Sequence, residues 1–367
     1  MKAKAAVFMG AEKDFEIREF DVVSAPKGYG RAELIASGVC GTDIHIHNGK
    51  LDMPSPMIIG HEFVGRITDL DEEEGRAYGL KIGDAVIADI AVPCGECILC
   101  KNGDDANCVN MQVTNAGDIN VSPYLYGGYA EVNFTPLSNL VKIPETVDPT
   151  VAATFACPGP TAIHSFSLAK RAGIDISKTN VAVVQGLGPV GVFAVMYLKR
   201  AGVKKIYAVT LSVNSAREEL TLKLGADKVY CLERDGEEKV TQELKSENGG
   251  LGVDLCIEAS GAPKAFLQGM DILRNRGVYL VPGQYSNSGG VELQPQMITF
   301  KALQILCSSQ YSMCDVRDYL EFLDNNKDLF PIIEKLASKY TVEEANLAFA
   351  DAKKNKNIKT LLVKDIK

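Results

Sequence analysis

Four thiols crowd one stretch of the chain: Cys94, Cys97 and Cys100 follow one another at two successive two-residue gaps, and Cys108 completes the set within fifteen residues. Four soft thiolates at this spacing suit one tetrahedral zinc ion, and a closed set of four leaves no position for a reacting ligand, so the expected site is structural. Gly95 and Gly103 give the backbone freedom where the loop must fold around the ion. Further reactive types stand in Cys40-Gly-Thr-Asp-Ile-His45, in Gly60-His61-Glu62 and at Cys157. Taken singly, a lone cysteine or histidine favours core packing.

A different chemistry is written in Gly186-Leu187-Gly188-Pro189-Val190-Gly191, which follows the apolar run Val181 to Val184 and opens a helical pattern from Val190 to Ala201. That setting is the one in which such glycines hold a dinucleotide pyrophosphate. Gly186 permits the tight turn, Gly188 lets the pyrophosphate approach the backbone, Gly191 lets helix and strand pack closely, and the helix start at Pro189 and Val190 favours the anion. About 20 residues on, where an acid would grip a ribose 2'-hydroxyl, the chain has Thr210, then Ser212 and Arg217. A neutral, donor-rich turn with one cation suits a 2'-phosphate, so NADP is expected over NAD; Arg217 pairing on its own helix face is the alternative.

These residues need two frameworks. With 367 residues the chain is long for one core and suits two domains. The segment up to about Thr150 is turn-rich, with β-type runs such as Ala85 to Ala88 and frequent proline punctuation. From Asn180 strands and helices alternate: strands Val181 to Val184, Ile206 to Thr210, near Val229 and Val253 to Glu258, and helices Val190 to Ala201 and Ala216 to Leu224, which implies a parallel α/β sheet. Near Thr299 the alternation gives way to helical segments, Val316 to Asn325 and Val342 to Ala350, and a last strand, Thr360 to Val363. Asp71 to Glu74 reads as a short solvated acidic turn. The near-uncharged stretch Val181 to Leu198 is broken by Gln185, glycines and Pro189, so strand, turn and helix explain it better than a membrane span.

Net charge of -8, from 39 basic and 47 acidic residues, argues against nucleic-acid or anionic-membrane partners. Ten cysteines without an export signal point to a reducing compartment, the cytoplasm, where metal binding outweighs disulfides.

Over nearly its whole length the sequence resembles the zinc-dependent medium-chain alcohol and polyol dehydrogenases, in Cys40-Gly-Thr-Asp-Ile-His45, Gly60-His61-Glu62, the cysteine lobe, Cys157-Pro-Gly-Pro-Thr161, the Gly186 turn and the C-terminal Tyr340 to Ala352. The "CGTDIHIHNG" segment looks most like the threonine and polyol (sorbitol) branches. The resemblance implies a GroES-like β-rich catalytic domain over 1–157, completed by 300–367, and a Rossmann-type doubly wound parallel-sheet domain over 158–299. It implies a second zinc on Cys40, His61 and Cys157, making two per chain, with one corner open to lower the pKa of an alcohol before hydride transfer. Glu62 then matches a glutamate able to approach that metal, or it is a buried ion-pair carboxylate. Asp43 matches a residue that orients the zinc histidine through its far ring nitrogen, or it is only a turn cap. Thr42 would accept the alcohol proton and pass it through the cofactor ribose to His45. His47 matches no family position and is expected at the surface, and His164 is expected to be structural. The cleft would involve Ile90, Thr114 to Gly117 and Tyr285.

The implied activity is oxidation of an alcohol (polyol, sugar or secondary alcohol) to its ketone or aldehyde, and the reverse, with NAD(P). A small-molecule substrate, no nucleic acid or membrane, and a dimer or tetramer follow from the same likeness. The alternatives are a reductase of allylic or aromatic aldehydes on the same scaffold, and a non-catalytic zinc- and nucleotide-binding relative. Completeness of Cys40, Thr42, His45, His61 and Cys157 favours an enzyme.

Overall fold

The computed structural model describes residues 1–283 and 285–366. It divides into two compact units, Met1–Pro160 with Tyr311–Lys367, and Thr161–Gln310.

A seven-stranded sheet organises the first unit. Its spatial order is Ala337–Thr341, Lys359–Val363, Tyr29–Val39, Phe63–Asp69, Ala85–Ala88 and Leu140–Lys142, with Val132–Pro136 also paired to Tyr29–Val39. The long strand Tyr29–Val39 serves two partners on one side, Val132–Pro136 along its first half and Lys359–Val363 along its last residues. Alternation turns Ala32, Leu34 and Ala36 inward, where they join a core with Phe8, Ile58, Phe63 and Phe134. Antiparallel pairing sets Ser37 opposite Phe63, so the end of one strand and the start of the next bring Cys40 and His61 to the same edge.

Two local readings change. The acidic run is not a turn: Asp71 caps a helix over Glu72–Ala77, its Oδ1 accepting the Glu73 and Glu74 N–H groups at 2.9 Å each. Acids in a first turn complement the helix dipole, which a charge-run reading overlooks. In addition, Ala337–Thr341 is a strand that the sequence pattern did not separate from the helical tail.

In the second unit six strands run parallel in the order Lys228–Cys231, Lys205–Thr210, Val181–Gln185, Val253–Glu258, Leu273–Val281 and Gln304–Cys307. Numbered within the unit this is 3-2-1-4-5-6, the doubly wound order that places a dinucleotide at the carboxyl ends of the central strands. Residues Val181 to Gln185 are buried throughout, as a strand covered on both faces requires. Alternation continues past Thr299 to the strand Gln304–Cys307, which pairs with Leu273–Val281. That strand is short and half-buried, so its pattern is faint. Among the described residues no helix is long and apolar enough to cross a membrane.

Candidate metal centres and cofactor turn

The ligand atoms of Cys94, Cys97, Cys100 and Cys108 lie within 4.8 Å of one another. Sulfurs around a tetrahedral zinc at ordinary Zn–S length are about 3.8 Å apart, so the set has the right size for one ion. Cys94 precedes, and Cys97 caps, the short helix Ile98–Lys101, and Gly95 and Gly103 adopt φ of +73° and +74°. N–H groups point at the sulfurs: Cys94 N–H reaches Cys108 Sγ at 3.2 Å and Cys100 N–H reaches Cys97 Sγ at 3.5 Å. The N–H groups of Cys100 and Val109 draw the Cys97 thiol down to about 6. Burial, then the neighbouring sulfur of Cys97, pushes Cys100 up to about 12. The surrounding dipoles thus favour the Cys97 thiolate and disfavour that of Cys100, which a cation at the centre of the set would stabilise.

A second convergence joins Cys40, His61, Glu62 and Cys157, again within 4.8 Å. Cys40 follows the strand Tyr29–Val39 and is the N-cap of the helix Gly41–His47; Cys157 directly precedes the helix Pro158–Arg171. A hydrogen bond from Cys157 lowers the Cys40 thiol well below its usual value, and the same contact, with burial, raises Cys157. Two cysteine sulfurs and one imidazole make up the Cys2His donor set of an open-cornered zinc site, so these residues fit such an ion.

Asp43 caps its helix and stands beside His61, its Oδ1 buried without a hydrogen-bond partner among the described residues. Its Oδ2 accepts the Cys40 N–H at 2.9 Å, capping the helix, while Oδ1 stands 3.4 Å from His61 Nδ1. Although burial opposes it, Asp43 and then Cys40 hold the His61 pKa well above the usual imidazole value. Glu62 is fully buried and paired with Lys359, whose Nζ also donates to Val39 O at 3.3 Å. Burial raises the Glu62 carboxyl with Lys359 opposing, while Lys359 stays above its ordinary value because Glu62 and Cys40 outweigh its own burial. Glycine is required at Gly38, where a Cβ would run into Glu62 and Lys359.

Thr42 Oγ1 lies 3.7 Å from Cys40 Sγ. His45 sits one turn further along the same helix face, its Nδ1 buried without a hydrogen-bond partner among the described residues and its pKa lowered by burial and then by Lys50. His47, expected at the surface, is instead 8% exposed. Its Nδ1 is 2.9 Å from Lys353 Nζ and its ring packs on Phe15 and Phe349. Phe15 and Phe349 come from opposite ends of the chain, so no local pattern announces that burial. His164 is buried, at 1% exposure. Ile90 and Thr114 are neighbours through Thr114 N–H to Ile90 O at 3.0 Å, whereas Tyr285 belongs to the second unit.

In that second unit Gly186 has φ +91°, and a Cβ there would lie 2.7 Å from Ser260 backbone atoms. A Cβ on Gly191 would strike the Gly186 carbonyl, while one on Gly188, the N-cap of the helix Pro189–Arg200, meets nothing within 4 Å. Val190 follows Pro189 in the first turn, where the leading N–H groups of a helix have no intrahelical acceptor. Beside it a cavity of about 440 Å³ is lined by Gln185, Gly186, Thr210, Leu211, Leu232 and Ser260 among others. Thr210 closes the strand Lys205–Thr210, and Arg217 lies in the helix Ser215–Lys223 capped by Asn214, with burial lowering its pKa. The sequence reading missed Glu233, whose Oε1 accepts from Ser212 Oγ at 3.3 Å. It arrives from the next strand–helix step and carries no local signal toward Ser212.

Comparison with known proteins agrees with both units. The sequence matches the alcohol dehydrogenase GroES-like domain family over residues 31–145 and the zinc-binding dehydrogenase family over residues 189–325. It is 30% identical to an L-threonine 3-dehydrogenase of Shewanella baltica, over 77% of this chain and 79% of that one. It is 28% identical to the 5-exo-hydroxycamphor dehydrogenase of Pseudomonas putida, over 98% of each. The crystal structure of an alcohol dehydrogenase from Thermotoga maritima superposes with a TM-score of 0.89 at 26% identity, covering 99% of both chains. This chain belongs to the zinc-dependent medium-chain dehydrogenases, with a GroES-like domain and a Rossmann-type domain, and is an oxidoreductase of that type.

Proposed function

We propose that the protein transfers hydride between NADP(H) and a small secondary alcohol, polyol or sugar and its ketone. The observation that carries the reading is the meeting of Cys40, His61, Glu62 and Cys157, whose ligand atoms lie within 4.8 Å of one another. Cys40, His61 and Cys157 would hold a reactive zinc, and the cysteine lobe a second, structural one. When bound, the first ion supplies Lewis acidity toward an alcohol or carbonyl oxygen. Asp43 orients His61, Lys359 keeps Glu62 in place beside the ligands, and Thr42 and His45 take up and release the substrate proton. A secondary alcohol is supported by the relatives, since the hydroxyls that both names specify stand on secondary carbons. NADP is supported by the absence of an acid at Thr210 and by Ser212 and Arg217 around the same turn; Glu233, facing Ser212, works against a 2'-phosphate.

The test is metal content and turnover of the parent, Cys40→Ser and Cys97→Ser with a panel of polyols and secondary alcohols and either cofactor. Two zinc ions in the parent and one in each variant are expected, with turnover lost in Cys40→Ser and a higher kcat/KM for NADP than NAD. A parent holding one zinc and oxidising nothing sinks the enzyme reading; a higher kcat/KM for NAD sinks the cofactor assignment alone.

A further inference from the structure

Tyr129 lies far in sequence from every proposed ligand, yet its hydroxyl donates to Asp43 Oδ2 at 2.7 Å. Both side chains are fully buried. Asp43 Oδ2 thus receives two donors, the Cys40 N–H and the Tyr129 hydroxyl, while Oδ1 faces His61 Nδ1. Two donors on one carboxylate oxygen restrict its rotation, which keeps the other oxygen on the His61 side, 3.4 Å from Nδ1.

The ring that carries this hydroxyl is itself fixed. Tyr129 N–H donates to Ile59 O at 3.1 Å, Ala6 N–H donates to Tyr129 O at 2.8 Å, and Gly128 N–H donates to Gly60 O at 3.0 Å. Phe15 and Phe349 meet the ring edge-on at 6.1 and 5.7 Å. The residue before His61 makes room for it: Gly60 has φ +94°, and a Cβ there would sit 2.6 Å from the Tyr129 ring. One aromatic side chain therefore packs under the segment that presents His61 and also holds the carboxylate that orients it.

We propose that Tyr129 is a positioning residue for the reactive metal centre, acting on His61 through Asp43. This rests on the functional reading above, in which His61 is a zinc ligand. Loss of a group that supports a metal ligand from behind typically costs 10–100-fold in affinity or activity.

The experiment follows zinc release from the full-length, zinc-loaded protein to a chromogenic chelator. Cys40→Ser and Cys97→Ser assign the two release phases, since each lacks one ion. In Tyr129→Phe the Cys40-dependent phase is expected to quicken by about 10-fold or more, with the lobe phase unchanged. Adding Tyr129→Phe to Asp43→Asn should give no further acceleration, because the hydroxyl then has no carboxylate to act through. An unchanged Cys40-dependent phase in Tyr129→Phe overturns the proposal. So does further acceleration on the Asp43→Asn background, which is what general loosening of the core would produce. If the parent has no Cys40-dependent zinc, the metal reading itself has failed, and metal content shows this before any release rate is compared.

Discussion

Asp89 follows the strand Ala85–Ala88 at 1% exposure, its Oδ1 accepting the Ala91 N–H at 3.3 Å and its Oδ2 without a hydrogen-bond partner among the described residues. Burial lifts its carboxyl from 3.8 to about 7, with Asp105 and Asp315 adding to the rise. The folded chain then holds this proton more tightly than the unfolded chain, so folding is favoured most at low pH. As pH climbs between about 4 and about 7 that contribution drains away, and above about 7 a constant deficit remains. Asp89→Asn should leave stability near the parent's at about pH 4 and exceed it by an amount on the order of 4 kcal/mol at about pH 8. Chemical denaturation of both proteins across this range checks it; a constant difference would mean that Asp89 titrates normally. The sequence shows Asp89 only as one acid in an apolar stretch, because desolvation depends on what packs there from residues 105 and 311–317. Lys359 and Tyr129 are hidden for the same reason: their partners, Glu62 and Asp43, are remote in the chain.

Elements whose signal is local were legible. The strand, turn and helix around Gly186 needed only consecutive residues, since one glycine supplies a positive φ and another removes a Cβ from the path of a carbonyl. Leu273–Val281 was not separated in the sequence, because it directly follows the helix Pro263–Ile272 and its Asn275-Arg276-Gly277, with Arg276 at φ +59°, falls inside the strand where it reads as a turn. The turn itself gives a prediction that divides packing from binding. At Gly191 a methyl group meets the Gly186 carbonyl, whereas at Gly188 it meets open space. Gly191→Ala should therefore cost about 1–3 kcal/mol of stability as well as weakening cofactor binding. Gly188→Ala should melt like the parent, yet bind NADPH at least about 10-fold more weakly where the backbone is meant to approach the pyrophosphate. Thermal melts beside NADPH fluorescence titrations read both quantities, and equal melting points for the two variants would contradict the packing role given to Gly191.

On the scale of the whole molecule, the units differ in how they use the chain. Thr161–Gln310 is one continuous segment with its own six-stranded sheet, whereas the first unit is assembled from both ends. Its late strand Lys359–Val363 lies inside the sheet, parallel to Ala337–Thr341 on one side and antiparallel to Tyr29–Val39 on the other. Leu361 and Leu362 on that strand are fully buried, and Lys359 supplies the partner of Glu62. Removing the strand would expose strand edges on both neighbours, vacate core volume that a single leucine fills at about 2–5 kcal/mol, and leave a buried carboxylate without its cation. A chain ending at Ile358 should consequently lose the folded first unit and, with it, the two zinc ions proposed for it. The segment 161–310 expressed alone should still give a cooperative melt and bind NADPH, because every strand of its sheet and the glycine turn lie within it. A segment 161–310 that stays unfolded would show that its core depends on the first unit, and a shortened chain that keeps two zincs would show that the last strand is dispensable to the metal centres.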